Sequence, residues 1–459
     1  MNRVASKKTR EMALVVVSLS SFLAAFMGSA VNIALPSIGR ELHMDAVSLG
    51  WVTTSFILAS VMSLVPFGRL ADIQGRKRIL TYGVLTYTIS SLLLAFVHSA
   101  NLLISLRFVQ GIGSAMIFAT GIAIVTSVFP SGERGRALGI SVAMTYLGLS
   151  LGPVLGGFLT QHFGWRSIFL ATIPLGIIII ILILRKMKGE WAEAKGETFD
   201  RSGAAIYGLA LVGIIYGFSR LPDTLGIGLL IAGISGALYF VRRGIKVKHP
   251  LLDMDLFRKS RVFAFSNLAT LLNYSGLFAV GFLLSLYLQY IKGLSPQSAG
   301  LILVAMPAVQ AIFSPLTGRL SDRVEPRILA SIGMGLNAIG LSLLIFINEK
   351  TDLGFIIGIL VLMGAGFALF ASPNTNAIMS SVKQRFYGVA SATMATMRQV
   401  GMSFSMGITM LLFALYIGRV EITPEHYPLL LSSTKIAFIV FTGLCTAGIF
   451  ASLARGNTR

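Results

Sequence analysis

The sequence predicts an all-α integral membrane protein of fourteen transmembrane helices, arranged as two six-helix bundles with two extra helices between them. Three observations carry that prediction. The 459 residues are 55% hydrophobic and only 12% charged, with a mean hydropathy of +0.80, far from the balance of a water-soluble domain. Apolar segments recur along the whole chain, each near the roughly 20 residues that a helix needs to cross about 30 Å of hydrocarbon. A polar stretch, GRLADIQGRKR at Gly68 to Arg78, returns in shorter form as GRLSDR at Gly318 to Arg323, 250 positions further on and in the same relation to its flanking apolar segments.

The N-terminus, MNRVASKKTRE, is basic and leads into an apolar run from Met12 to Leu35. That run is too long for the core of a signal peptide and is expected to stay as the first helix. The other thirteen segments lie at approximately 48–67, 79–97, 101–128, 136–160, 165–184, 203–219, 224–241, 263–290, 298–317, 328–347, 353–376, 387–416 and 434–454. Polar alternation inside them is weak, which favours helices over the ten-residue alternating strands of an outer-membrane barrel. Taking the seventh and eighth spans with their loops, about 50 residues, from the 250-residue repeat leaves about 200 per half, the length that six spans with short loops require. The expected division is residues 1–190 for the N-terminal six-helix bundle, 191–262 for a two-helix insertion with a cytoplasmic linker, and 263–459 for the C-terminal six-helix bundle.

With both termini cytoplasmic, 29 of the 38 Lys and Arg fall inside and seven outside, while Arg107 and Arg398 lie within spans. The 18 acids divide into eleven inside and seven outside, and none falls within a span. The inner face then carries +18, 29 cations less 11 acids, and the outer face is neutral, so the positive-inside rule sets the orientation. The expected location is the cell (cytoplasmic) membrane, multi-pass, with N- and C-termini cytoplasmic. The overall charge of +20 is thereby a topology signal turned toward anionic lipid, and no nucleic-acid partner is expected.

Enzyme chemistry is not expected either. His43, His98, His162, His249 and His426 fall in loops and share no metal-ligand spacing, no GxxxxGK[ST] motif is present, and the buried regions lack the groups for Ser/His/Asp catalysis. No metal and no cofactor are expected. Cys445, alone in an apolar run, cannot form a disulfide within one chain.

The motifs resemble those of the major facilitator superfamily, and within it the fourteen-span drug:proton antiporters of the multidrug efflux family. Gly68-Arg69-Leu70-Ala71-Asp72 with Gly75-Arg76-Lys77 is similar to the family's loop between the second and third helices. Arg107 with Gln110, Gly111 and Gly113 resembles the fourth-helix motif, and GLSLGPVLGG at Gly148 to Gly157 the fifth-helix antiporter motif. NIALP at Asn32 to Pro36, Trp165-Arg166 with Pro174 and Gly176, Phe199-Asp200 with Gly203, and Pro250-Leu251-Leu252 with Leu256-Phe257 resemble the fourteen-span branch. The likeness spans nearly the whole chain. It implies a monomeric secondary transporter that exports small apolar or drug-like compounds by alternating access, with protons as the coupling ion and the lipid bilayer as surroundings. Gly68, Asp72, Gly75 and Arg76, with Gly318, Asp322 and Arg323 in the second copy, would form the gating loops; Arg107, Gln110 and Asp72 would serve coupling. Gly148, Gly152, Pro153, Gly156 and Gly157 would form the face that seals the cavity.

Physical readings accompany these. Asp72 near a helix end can pair with Arg76 or accept from the amides of a neighbouring helix N-terminus. Gly148, Gly152 and Gly156 recur every four residues and allow close helix approach, while Pro153 permits a bend. Ser29, Asn32, Asn374, Arg398 and Gln399, with Gln110, Asn273, Gln289 and Asn376, are the polar span residues expected at a substrate cavity between the halves.

The sequence also departs from the resemblance. Met27 stands where the fourteen-span exporters usually carry an aspartate, five residues before Asn32, so no span holds a carboxylate to exchange a proton against a cationic drug. Ile73, Thr172, Glu325 and Pro326 replace other motif residues. Three alternatives follow: coupling through edge groups such as Asp72, export of neutral or anionic metabolites toward Arg107 and Arg398, or uncoupled facilitation. A transporter-like sensor or lipid-handling protein is a more distant alternative.

Overall fold

The computed structural model describes residues 7–187, 189–221, 223–247, 251, 257, 258, 260–321, 323–382 and 387–456, with the side chains of all but 131, 132, 134–136, 387 and 388. Asp322 of the second motif copy, and Pro250, Leu252 and Leu256 of the stretch before the ninth span, lie outside the described residues.

Helices α1 (Lys7–Glu41), α2 (Ala46–Gln74), α3 (Arg76–Leu94), α4 (Ala100–Val128), α5 (Ser131–Phe163) and α6 (Arg166–Lys186) come first, then α7 (Arg201–Arg220) and α8 (Thr224–Gly244). The remainder are α9 (Arg261–Leu286), α10 (Pro296–Leu303), α11 (Ala305–Ser321), α12 (Pro326–Leu344), α13 (Leu353–Ser380), α14 (Tyr387–Tyr416) and α15 (Tyr427–Ala454). They make fourteen passes, because α10 and α11 are one span interrupted at Val304. Pro307 explains the interruption: it has no N–H to donate to the carbonyl of Leu303 one turn earlier, and its ring crowds that carbonyl.

Polar residues set the helix starts. Asp45, Ser99, Asp200, Ser260, Ser295 and Asp352 each accept, through a side-chain oxygen, from backbone N–H groups two or three residues on, which satisfies donors that the first turn leaves free. Thirteen spans among the described residues are long and apolar enough to cross a membrane, and α3 is the exception. Its Thr81, Thr88, Ser90 and Ser91 hydroxyls each donate to the carbonyl four residues back, so the helix carries them without leaving the donors unpaired.

Packing repeats between the halves. In the first, α1 packs on α4, α5 and α6, α2 on α4, and α3 on α4 and α6; in the second, α9 packs on α14 and α15, α11 on α13, and α12 on α13 and α15. The halves meet reciprocally, α5 lying on α10 and α11 while α14 lies on α2. Glycines bring α7 and α8 together, since a Cβ on Gly213 would lie 3.0 Å from Gly233 Cα. The pair then rests through α7 on α2 and α14, beside one of the two seams.

Candidate functional site

Two ends of the bundle are distinguished by their loops, a basic end holding the Gly68 to Arg78 turn and a neutral end holding the α1–α2 and α14–α15 connections. At the basic end, Gly75 takes a φ of 120°, in the left-handed region that glycine adopts without a Cβ penalty. The reversal sets Arg76 back against Asp72. Arg76, 6% exposed, donates from Nε and NH2 to Asp72 Oδ1 at 2.9 and 2.7 Å, and from NH1 to Ala123 O at 3.1 Å, Glu193 Oε1 at 2.9 Å and Ser127 Oγ. Gly68 lies against Ala119 of α4, at 3.7 Å from where its Cβ would be.

The hydrophilic stretch after α6 completes this cluster, a role the sequence reading missed. Ala194 N–H donates to Asp72 O at 2.9 Å, Arg76 N–H to Trp191 O at 2.9 Å, and Lys77 N–H to Glu190 Oε1 at 2.8 Å. Arg69 pairs with Glu197. The stretch is therefore a strap that crosses the α2–α3 turn and brings Glu190, Glu193 and Glu197 to its cations. Three acids at three- and four-residue spacing, in a linker beside a cationic loop, were the available signal. A Cβ on Gly75 would also lie 2.4 Å from the Glu190 carboxyl carbon, so the strap gives the glycine a second reason.

The second motif copy is different. A Cβ on Gly318 would stand 3.9 Å from Ser372, and Arg323 N–H donates to Leu320 O at 3.0 Å at the end of α11, but Pro326 occupies the place of the Arg76 equivalent. The buried cation of that half comes instead from Arg455 after α15, counted from sequence only among the terminal charges. It is 1% exposed, and its NH1 donates to Asn374 Oδ1 at 2.8 Å and Ser266 Oγ at 3.2 Å. Burial pushes the guanidinium down to about 10.

Arg107 and Gln110 lie together inside the first half. Arg107 is 1% exposed, with Nε on Val52 O at 3.1 Å, NH1 on Gln110 Oε1 at 2.5 Å and the guanidinium 4.4 Å from the Phe56 ring centre. Gln110 Nε2 donates to Ser91 Oγ at 2.8 Å, so the pair binds α2, α3 and α4 and is sealed from the space between the halves.

The α5 glycines divide between two partners. Gly148, Gly152 and Gly156 receive α1, with Phe22 O, Ser29 Oγ and Ala30 Cβ at 2.6, 1.9 and 2.8 Å from the respective Cβ positions. Gly157 and Pro153 face α10: a Cβ on Gly157 would sit 2.5 Å from Pro296 O, and one on Gly300 would sit 2.1 Å from Pro153 O. Only this second contact lies on the seam between halves.

Other described bonds across the seam lie at the neutral end and at mid-depth. Ser285 Oγ donates to Asn32 O at 2.7 Å, Gln289 Nε2 to Ile33 O at 2.9 Å and Ala46 N–H to Val420 O at 3.1 Å. Deeper, Gln399 Nε2 donates to Ser60 Oγ at 3.2 Å. Next to it, Arg398 is within electrostatic reach of the phenols of Tyr146 on α5 and Tyr274 on α9, and all three side chains are partly exposed.

The expected cavity set is thus scattered. Arg398 and Gln399 reach the interface between halves, and Asn32 meets it through its carbonyl while its side chain accepts from Thr53 at 3.1 Å. Ser29 turns its hydroxyl onto its own helix, at 3.1 Å from Phe26 O, against Gly152. Asn374 is 2% exposed and belongs to the Arg455 network, donating to Thr270 Oγ1 at 2.8 Å. Asn273 pairs with Asn337 and Asn376 with Ser321, both within the second half. These departures have one cause, that a polar residue in a helix bonds whichever neighbour its face meets, and facing is decided by packing. Met27 is fully buried in the apolar core.

The model of the Major Facilitator Superfamily matches residues 17–241 and 266–458. The chain belongs to the major facilitator superfamily. It is 31% identical over 403 residues, 87% of each chain, to the riboflavin transporter RibZ of Clostridioides difficile (strain 630). It is 30% identical over 408 residues to the multidrug resistance protein Stp of Mycobacterium tuberculosis, covering 87% of this chain and 75% of that one. A crystal structure of a bacterial homologue of the human lysosomal transporter Spinster, inward-facing and unoccupied, superposes with a TM-score of 0.69 over 98% of both chains at 15% identity, which bears on the fold alone. This superfamily member is a multi-pass membrane transporter of small molecules, with relatives named as multidrug resistance and efflux proteins.

Proposed function

We propose that the protein exports small, largely apolar organic molecules across the cytoplasmic membrane by alternating access of its two halves, as a monomer, in exchange for protons. Residues 1–190 and 263–459 are the two moving bundles, and 191–262 is the insertion that accompanies them. Both termini are cytoplasmic on this reading, which turns the basic end and its strap toward the cytoplasm. One observation carries the reading. Described hydrogen bonds between the halves cluster at the neutral end and mid-depth, whereas the Asp72 and Arg76 cluster joins its own half to the strap. Such an arrangement leaves the basic end able to part. The relatives supply the first compounds to test, riboflavin and the substrates of multidrug efflux assays.

In everted membrane vesicles holding a pH gradient, adding a transported compound should partly collapse the gradient, and Asp72→Asn should weaken that response while leaving insertion unchanged. Transport with no proton movement would leave an uncoupled facilitator. That second reading draws on the buried polar residues, which among those described include three arginines and no Asp or Glu.

A further inference from the structure

We propose that the space between the halves takes organic anions with an aromatic body, the anionic group pairing with Arg398 and the ring lying between the phenols of Tyr146 and Tyr274. The proposal rests on the export reading and names the substrate class of its site.

Position comes first. Arg398 is eleven residues into α14, so at ~1.5 Å per residue it lies about 17 Å from the start of that helix, near mid-depth of the bundle. An uncompensated cation is costly there and is found facing protein, a cavity or a charged partner. No described carboxylate pairs with it, and its Nε is out of reach of solvent without a hydrogen-bond partner. Two other arginines, buried with no described carboxylate hydrogen bond, are sealed within one half each, Arg107 by Val52 O, Gln110 and Phe56, and Arg455 by Asn374 and Ser266. Arg398 alone among these three is partly exposed, and its electrostatic neighbours come from both halves. Its exposure is therefore to the space between them.

The surroundings suit a flat apolar ligand. Tyr274 is held edge-on by Phe367, ring centres 5.4 Å apart at 87°, and Gly401 keeps α14 against α9 beside it, where a Cβ would sit 2.5 Å from Leu271 O. Gly401 and Arg398 share a helix face at the three-residue spacing, so the guanidinium is presented from a fixed backbone. A planar fork of donors matches a carboxylate in two parallel bonds, and phenol rings stack on aromatic faces. Cationic drugs would meet repulsion at the same atoms. An anion also explains how the chain works with Met27 and no carboxylate in its spans. Leaving a cell that is negative inside, a monoanion is favoured about fifty-fold per 100 mV by the membrane potential itself.

The test uses the full chain in proteoliposomes with 1-naphthoate and its neutral isostere 1-naphthamide, under potassium diffusion potentials of either sign. Naphthoate flux in the export direction should rise when the cytoplasmic side is made negative. Arg398→Gln should lower naphthoate flux at least tenfold and naphthamide flux less than twofold, and Arg398→Lys should fall between, since it keeps the charge but loses the fork. Equal losses of both compounds in Arg398→Gln would assign the residue to structure and overturn the proposal. So would naphthoate flux indifferent to potential, or transport of naphthamide without naphthoate, either of which leaves export itself standing. If properly inserted protein moves neither compound, nor riboflavin, the export reading falls as well.

Discussion

The two ends of the bundle are held by different physics. At the neutral end, Gly157 and Gly300 bring backbones into contact across the halves and uncharged donors such as Ser285 and Gln289 bond to carbonyls, while the ion pairs of that end, Arg166 with Glu41 and His43 with Glu421, lie at its exposed rim. At the basic end the contacts are ionic, and those of Asp72, Arg76 and Glu193 stay within one half and its strap. Close backbone packing in an apolar medium is short-ranged and either made or lost, whereas charges at a membrane edge are screened and exchange partners with water at little cost. A transporter benefits from that difference. One seam is specific enough to close, and the opposite cluster organises a half without tying it to the other.

Breaking the neutral seam should have the largest effect. Gly300→Leu places side-chain atoms where Pro153 O stands and should reduce transport more than tenfold in protein that still inserts, measured as flux per inserted molecule. At the basic end, Arg76→Gln leaves Asp72 without its guanidinium, and a severalfold loss of flux is expected. A cycle of Asp72→Asn and Glu193→Gln should show coupling below about 1 kcal/mol in stability, because Glu193 is 66% exposed. Coupling of several kcal/mol would mean that the strap is an internal part of the bundle and would erase the contrast. Gly75→Ala tests the turn itself, with about 1–3 kcal/mol lost to left-handed strain and displacement of Glu190, read as a lowered thermal midpoint in detergent.

The smallest expected effect lies at Asp200, where the hydrogen bond from Arg243 at 2.6 Å and the amide of Gly203 hold the carboxyl below its usual range. A carboxylate with a depressed folded pKa adds stability above its unfolded value near 3.8, and loses it as pH falls through the lower folded value. Asp200→Asn keeps a capping oxygen and should therefore cost at most about 1 kcal/mol at neutral pH and progressively less in strong acid. A cost that persists in acid would point to capping geometry in place of charge.

Much of the architecture was legible because bilayer thickness imposes one length on every span and the repeat of GRLADIQGRKR as GRLSDR marks equivalent places. Within the motifs, legibility followed locality. Asp72 and Arg76, four residues apart, meet as a helix end allows. Residues whose partners are remote read poorly: Asn374 joins an arginine 81 positions away and Glu193 an arginine 117 positions away. Tyr146 and Tyr274 carried no motif at all.

The sequence by itself determined a membrane protein of fourteen helical passes in two related halves, because hydropathy and segment length respond to the bilayer and need no knowledge of neighbours. Only the tertiary structure decided which polar residue faces which space. Arg107, Arg398 and Arg455 are chemically the same group, yet two are sealed inside a half and one is partly exposed, with electrostatic neighbours in both halves. The physical reason is that a helix face is assigned by crossing and register with other helices, and in an apolar medium every face looks equally comfortable until a partner with a hydrogen bond or a close-fitting surface claims it.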